Sequence, residues 1–343
     1  MLLVNKFVPI PKKRLLANVM SSSGMNAVLN MLPTWSGLLV VNYHRIGQSA
    51  DCPFDQNLFS ATTEVLELQL KHYKRHADVI RISDLDDVLK RRTGKSVLIT
   101  FDDGYRDNYD LAFPVLKAAN VPATFFVATG FVDRPRIAWW DEIAWMVRQS
   151  KVNKLPGSVW FPEGLIIPEQ DRSTALGAAV RKYWTLTGNQ TELYLNDLAK
   201  QTQTGRCPAE LAEKMWMTWE MMQEMSNSGM DFGGHTVDHP ILAQQSGKTQ
   251  RREIFESRAR LIEKLGIEPQ AFAYPVGQAH MFSAETKHLL KEAGYKYGFS
   301  FYGNYESCVS VDPYDIPRCA IDFNMPQSIF DSRLTLPQIF AKK

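Results

Sequence analysis

From residue 37 almost to its end, the chain alternates short, unbroken apolar runs with helical stretches. GLLVVNYH (37–44), KSVLITF (95–101), PATFFVATG (122–130), DFGG (231–234), QAFAYP (270–275), YKYGFS (295–300) and IPRCAID (316–322) read as buried strands. Helical spacing fills about 61–75, 109–120, 247–264 and 283–292. A strand that is apolar throughout must be covered on both faces. Strands that alternate with helices meet that need as a parallel sheet or barrel wrapped by helices. The expected fold is therefore α/β. Residues 150–215 break the rhythm with Pro, Gly, Gln and Thr clusters around two helical patterns, 172–186 and 191–202. They are expected to form an insertion on the catalytic face of a barrel rather than an independent domain.

The 343 residues, 45% of them hydrophobic, are enough for a large core. A net charge of +2 and a pI near 8.2 argue against a dedicated nucleic-acid binder, since basic and acidic side chains nearly balance. Cys52, Cys207, Cys308 and Cys319 form no CxxC pair and are expected to be reduced structural thiols. The first 20 residues lack a positive start followed by an unbroken apolar stretch, so no secretory signal is expected. No run of 18 apolar residues occurs either, which leaves a cytoplasmic protein as the expectation. Apolar positions between 13 and 31 have helical spacing, interrupted at 21–23. That segment, an N-terminal extension over 1–35 ahead of a domain at 36–335, either packs on the domain or touches a membrane surface. Packing is the leading expectation, and Lys12, Lys13 and Arg14 support the second reading, peripheral to an inner membrane.

Two motifs carry the chemistry. TFDDGYRDN (100–108) ends a strand on two carboxylates and a glycine that permits a sharp turn. The C-terminal ends of barrel strands build the sites of such folds. Two carboxylates this close repel unless a cation or a proton joins them, although a helix cap with an exposed neighbour would also explain them. HTVDH (235–239) places two histidines four apart, on one face of a helical turn and within reach of one metal ion. One aspartate with two histidines leaves coordination positions open, as catalytic sites require.

In this order and separation, TFDDGYRDN and HTVDHP resemble the first two motifs of the polysaccharide deacetylase (NodB-homology) superfamily, over roughly residues 36–330. The resemblance implies a distorted (β/α)7 TIM-like barrel and metal-dependent removal of N-acetyl groups from amino sugars. It makes Asp102 the general base and Asp103, His235 and His239 the metal ligands. FAYPVG (272–277) is similar to the third motif, which supplies an oxyanion donor, here the N–H of Val276. Many members carry an arginine where this chain has Ala273. The FAYP form resembles the exopolysaccharide, poly-N-acetylglucosamine, branch, where the general-acid histidine lies in an early YH motif. VVNYHRIG (40–47) matches, so His44 is the expected acid. Arg318, in DIPRCAI, is the candidate to replace the absent arginine by pairing with Asp102 or Asp103. Tyr105, Tyr274 and Pro275 are expected to contact substrate. Trp139 and Trp140 either line the cleft or pack the insertion on the barrel.

The metal is expected to be Zn2+, with Co2+, Ni2+ or Fe2+ as alternatives for the same donors. The substrate is an amino-sugar-containing saccharide: a polymer, or a lipid-linked or nucleotide-linked precursor. A formyl or other small amide on a sugar would suit the same residues, and a silent carbohydrate-binding protein would suit the same barrel. His72, His76, His280 and His288 have no evident partners and are expected on the surface.

Overall fold

A computed structural model of the chain describes residues 12–91, 93–303, 305–307 and 311–341. The signal reading of residues 1–11 and the thiol reading of Cys308 lie outside the described residues. Eight strands form one parallel sheet: β1 (Gly37–Tyr43), β2 (Asp78–Ile80), β3 (Lys95–Phe101), β4 (Thr124–Val127), β5 (Asp231–Gly234), β6 (Ala271–Ala273), β7 (Tyr297–Ser300) and β8 (Ile316–Ala320). Seven close into a ring in the order β1-β3-β4-β5-β6-β7-β8, with β8 returning to β1. The short β2 pairs with the lower half of β3 at Ser96–Leu98, whereas β4 reaches only Thr100 and Phe101. This shared edge is what distorts the barrel. β2, DVI, is too short to have been read from the sequence as a strand.

The pleat sorts the side chains of each strand. Leu38, Val40, Leu98, Phe126, Ala273, Phe299 and Ile316 point into the barrel. Leu39, Val41, Tyr43, Val97, Ile99, Phe101, Phe125 and Val127 point outward beneath the helices, as a period of two requires. Toward the C-terminal end the inward file turns polar: Asn42, Thr100, Thr124 and Arg318 are all buried. Helix α3 (Thr63–His76) is capped by Thr62 and buries Leu66, Gln69, Leu70 and Tyr73. The helix expected at 109–120 begins as a π-helical turn at Asn108–Ala112 before α4 (Phe113–Ala119).

The N-terminal segment forms α1 (Lys12–Ser22) and α2 (Met25–Asn30), broken at Gly24, whose φ is +73°. Ala17 and Met20 pack on Phe340, while Leu15, Leu16, Val19, Val28 and Met31 stay exposed. Helix α5 (Trp139–Arg148) joins α6 (Ser173–Tyr183) and α7 (Gln190–Gln201) around a core of their own that runs from Ile143 to Ala199. His72 is not a free surface group. Its Nδ1 lies 3.7 Å from an Asp331 oxygen and its ring packs against Phe330, because α3 docks on the C-terminal helix over Gln327–Thr335.

Candidate active site

Register alone brings the first two motifs together. β1 and β3 pair residue for residue from Gly37–Lys95 to Tyr43–Phe101, so the next residues, His44 and Asp102, emerge side by side. The Asp102 N–H donates to the Tyr43 carbonyl at 3.0 Å. The tail of TFDDGYRDN then fastens the segment after β1. Asn108 Nδ2 donates to the His44 carbonyl at 2.7 Å, and Asp107 accepts from the Ile46 N–H at 3.0 Å and from Arg45 at 2.9 Å.

On the other side of β1, Arg318 sits opposite Val40 in β8. It is fully buried and grips Asp102 as a fork: Nη1 donates to Oδ1 at 2.6 Å and Nη2 to Oδ2 at 2.7 Å. Its Nε donates to the Ser300 carbonyl at 3.1 Å, and Nη1 also reaches Asn42 Oδ1 at 2.8 Å. Asn42 Nδ2 in turn donates to Asp102 Oδ2 at 3.2 Å. Asn42, two residues before His44, was not read from the sequence; inward alternation along β1 is the signal that points to it. Burial alone would raise the Asp102 carboxyl, but the Arg318 guanidinium outweighs it and holds the group well below the ordinary carboxylate range.

Asp103 Oδ1 lies 3.4 Å from His235 Nε2 and 3.4 Å from His239 Nε2, and the two Nε2 atoms are 3.1 Å apart. Corners of a tetrahedron about 2.0–2.1 Å from its centre stand about 3.3–3.4 Å apart, so this buried triangle has the dimensions of three zinc-type ligands. His235 Nδ1 is 2.7 Å from the Ala273 carbonyl, which fixes the proton there and leaves Nε2 bare for an ion. Burial pulls both imidazoles toward neutrality. His239, beside His235, is pushed down to about 3, while the Asp102 and Asp103 carboxylates overcome burial and hold His235 above its usual value.

The histidine spacing works through a loop and not through the helical turn expected of it. His235 leaves β5, Thr236 (φ +69°) and His239 (φ +55°) take left-handed backbone, and the chain curls until both rings face Asp103 (φ +74°). Glu253, 1% exposed on α8 (Gly247–Leu265), holds the curl by accepting the N–H groups of Val237 and Asp238, each at 2.8 Å. Nothing in the local sequence marks Glu253, which lies well beyond the motif.

His44, Asp102, His235, His239 and Arg318 line a cleft of about 370 Å3 that also holds Trp139, Trp140, Tyr274, Phe301 and Asp55. Val276 lies on the cleft with φ +61°, a strained conformation for a β-branched residue, and its N–H donates to no group among the described residues. His44 Nε2 stands 4.0 Å from Asp102 Oδ2, with its ring against Phe301. Trp140 covers His239 at 4.3 Å between ring centres, and Trp139 Nε1 donates to the His239 carbonyl at 3.3 Å. Both tryptophans thus line the cleft and pack the insertion at once.

Two expected substrate contacts fail. Tyr105 is fully buried behind the wall: its hydroxyl donates to Asp141 Oδ2 at 2.5 Å and accepts from Trp140 Nε1 at 2.7 Å. The turn at Gly104 (φ +88°) sends it away from the cleft toward Trp216. Pro275 is buried beneath the loop and does not line the cleft. Tyr274 does line it, though its hydroxyl is spent on the Tyr314 carbonyl.

Comparison with known proteins agrees with this geometry. The deacetylase PplD of Streptococcus pyogenes, solved with acetate, superposes with a TM-score of 0.57 at 20% identity, over 89% of this chain and 98% of that one, and so shares the fold. The Bacillus subtilis (strain 168) protein YxkH is 23% identical over 209 residues, 61% of this chain and 46% of its own length. The poly-β-1,6-N-acetyl-D-glucosamine N-deacetylase of Escherichia coli (strain K12) is 27% identical over 115 residues, 32% of this chain and 17% of its own. The chain thus spans less than half the length of these curated relatives. The polysaccharide deacetylase family model matches residues 90–153 and 186–298, just over half of the chain and both motifs that face each other across the cleft, so the chain belongs to the polysaccharide deacetylase family.

Proposed function

We propose that the protein hydrolyses the N-acetyl group of an amino sugar within a saccharide, releasing acetate and a free amine, with a divalent ion held by Asp103, His235 and His239. The observation that carries this reading is the pairing of two adjacent aspartates with opposite duties. Asp102 is tied to a guanidinium and Asp103 turns to two bare imidazole nitrogens. Asp103, His235 and His239 would hold the ion, which would supply Lewis acidity for amide hydrolysis.

The chain's own groups do the rest. Asp102 stays ionised because Arg318 holds it so, and Oδ2, the oxygen toward His44 and His235, is placed to take the water's proton. The N–H of Val276 is free to donate to the oxyanion as the carbonyl carbon becomes tetrahedral. His44, across from Asp102, protonates the departing nitrogen so that it leaves as an amine. Trp139 and Trp140 offer apolar ring surface to the sugar, and their cover over His239 keeps water from the ligand side.

Elemental analysis beside acetate release from N-acetylhexosamine oligomers tests this. One bound metal in the wild type, lost in His235→Ala together with acetate release, is the expected result. Absence of metal under every loading condition would sink the mechanism. No described helix is long and apolar enough to cross a membrane. Peripheral contact with an anionic lipid surface rests on Lys12, Lys13 and Arg14 beside the exposed Leu15, Leu16 and Val19. Failure to sediment with phosphatidylserine vesicles would remove it.

A further inference from the structure

A second cavity, about 600 Å3, adjoins the catalytic cleft, and Trp139 lines both. The Trp139 indole lies flat on Tyr183 of α6, with ring centres 4.1 Å apart and planes 7° from parallel. The pair forms one aromatic plate. One end meets the carbonyl of a metal-ligand histidine, and the other forms a wall of the second space. Phe131, Ile137 and Leu195 supply further apolar lining. Much of the cavity is thus built by the insertion, which also sends Val180 and Trp184 into the catalytic cleft.

The polar lining of this cavity is charged but balanced. Arg206 forks onto Glu142 at 2.6 and 2.8 Å and reaches Glu192 at 3.0 Å, and Arg136 binds Asp238 at 2.5 Å. Among these cations only Arg134, at the exposed edge, has no carboxylate partner among the described residues. A ligand bearing phosphates would need free guanidinium or ammonium groups, or a helix N-terminus. The catalytic cleft offers instead the carboxylates of Asp55, Asp102 and Asp322, with Arg318 already occupied by Asp102. An uncharged polyhydroxyl ligand suits both spaces: aromatic faces take its C–H surface, and ion-paired side chains keep lone pairs and N–H groups for its hydroxyls.

We propose that the cavity between α7 and the loop before α5 is a saccharide subsite. It would bind uncharged sugar units that flank the reacting one and lie along the Trp139–Tyr183 plate. The inference rests on the deacetylase reading and deepens it, because a monosaccharide or a sugar nucleotide would leave this cavity unused.

The test is acetate release from N-acetylhexosamine oligomers of two to six units by the metal-loaded protein. Tyr183→Ala removes half of the plate. Thr191→Trp adds bulk to the cavity without taking anything from the core. The expected result is a kcat/KM that rises at least tenfold from dimer to hexamer in the wild type, with most of that rise lost in both variants. Release that does not depend on length, or a rise that both variants keep, would overturn the subsite and leave the deacetylase reading intact. No release from any length, with no tryptophan-fluorescence change on adding hexamer to Asp102→Asn, would overturn both.

Discussion

Replacing Arg318 by methionine tests the central electrostatic claim, that a guanidinium makes Asp102 a permanently ionised, correctly turned base. The side chain is fully buried, with both ends of its fork on Asp102 and its other donors on Ser300 and Asn42. Arg318→Met leaves a carboxylate without its counter-charge and takes one donor each from the Ser300 carbonyl and from Asn42 Oδ1, which keeps the Thr100 hydroxyl. Breaking one side of a buried ion pair costs about 3–5 kcal/mol, a large part of the roughly 5–15 kcal/mol that holds a domain folded. The urea midpoint should therefore fall steeply. Arg318→Lys keeps a charge but cannot form the fork, so it should recover much of the stability and little of the turnover. A correctly placed general base is worth roughly 10²–10⁴ in rate. kcat should drop at least 100-fold in both variants, while one metal per chain stays bound and KM changes little. The two variants separate folding from catalysis, since only a positioning role leaves the lysine form folded and slow. A methionine variant that binds one metal and turns over within threefold of wild type would refute the reasoning.

Two further outcomes follow from groups outside the reacting set. Glu253→Ala frees the Val237 and Asp238 N–H groups and should weaken metal binding roughly tenfold or more, in the range of outer-shell losses. Glu253→Gln keeps an acceptor and should restore most of it, and equal affinity in all three proteins by competitive chelation would refute the role. Burial pushes the Asp141 carboxyl up from 3.8 to about 7. Because its folded value is raised, its ionisation costs stability. The contribution is complete below about pH 4 and is lost as pH climbs toward 7, about 4 kcal/mol at roughly 1.4 kcal/mol per pH unit. Asp141→Asn should flatten that decline in urea melts between pH 4 and 7.5, and a decline of wild-type slope in the variant would remove Asp141 as its source.

Sequence pattern revealed the residues whose position follows from strand register. Unbroken apolar runs in 37–44, 95–101 and 316–322 must lie side by side in a barrel. Asp102 and His44 then fall at neighbouring strand ends whatever the loops do, with Arg318 inside the strand on the other side of β1. Arg318 was legible because Ala273 stands where many members of the resembled family carry an arginine, which left Arg318 in the last strand as its replacement beside the two aspartates. What stayed hidden depends on loop direction. The rings of His235 and His239 converge through left-handed residues rather than through a helical turn, and spacing alone could not distinguish the two. Tyr105 was misassigned for the same reason, since a single glycine turn decides whether the next side chain enters the cleft or the core. Glu253 and Asn42 hold the reacting groups without touching the reaction. Their roles rest on contacts 15 to 60 residues distant; inward alternation along β1 marks Asn42, but no local pattern marks Glu253.

The strained residues show how the fold divides its labour. Six described non-glycine residues have positive φ, and four of them, Asp103, Thr236, His239 and Val276, belong to the site. Each such residue costs on the order of 1–3 kcal/mol, and each lies just past the end of β3, β5 or β6, where the ladder no longer dictates the backbone. The rigid ring supports the strain through specific ties: Glu253 to the histidine loop, and Gly277, whose carbonyl accepts the Phe301 N–H at 2.7 Å, to the Val276 turn. The strain points the two proposed metal ligands, Asp103 and His239, and the proposed N–H donor of Val276 at a common space. Relaxed backbone at those positions would turn them toward the ladder or the solvent. A site preorganised in this way spends little free energy on rearrangement when the proposed amide substrate arrives, which is the condition under which buried donors and charges act most strongly on a transition state.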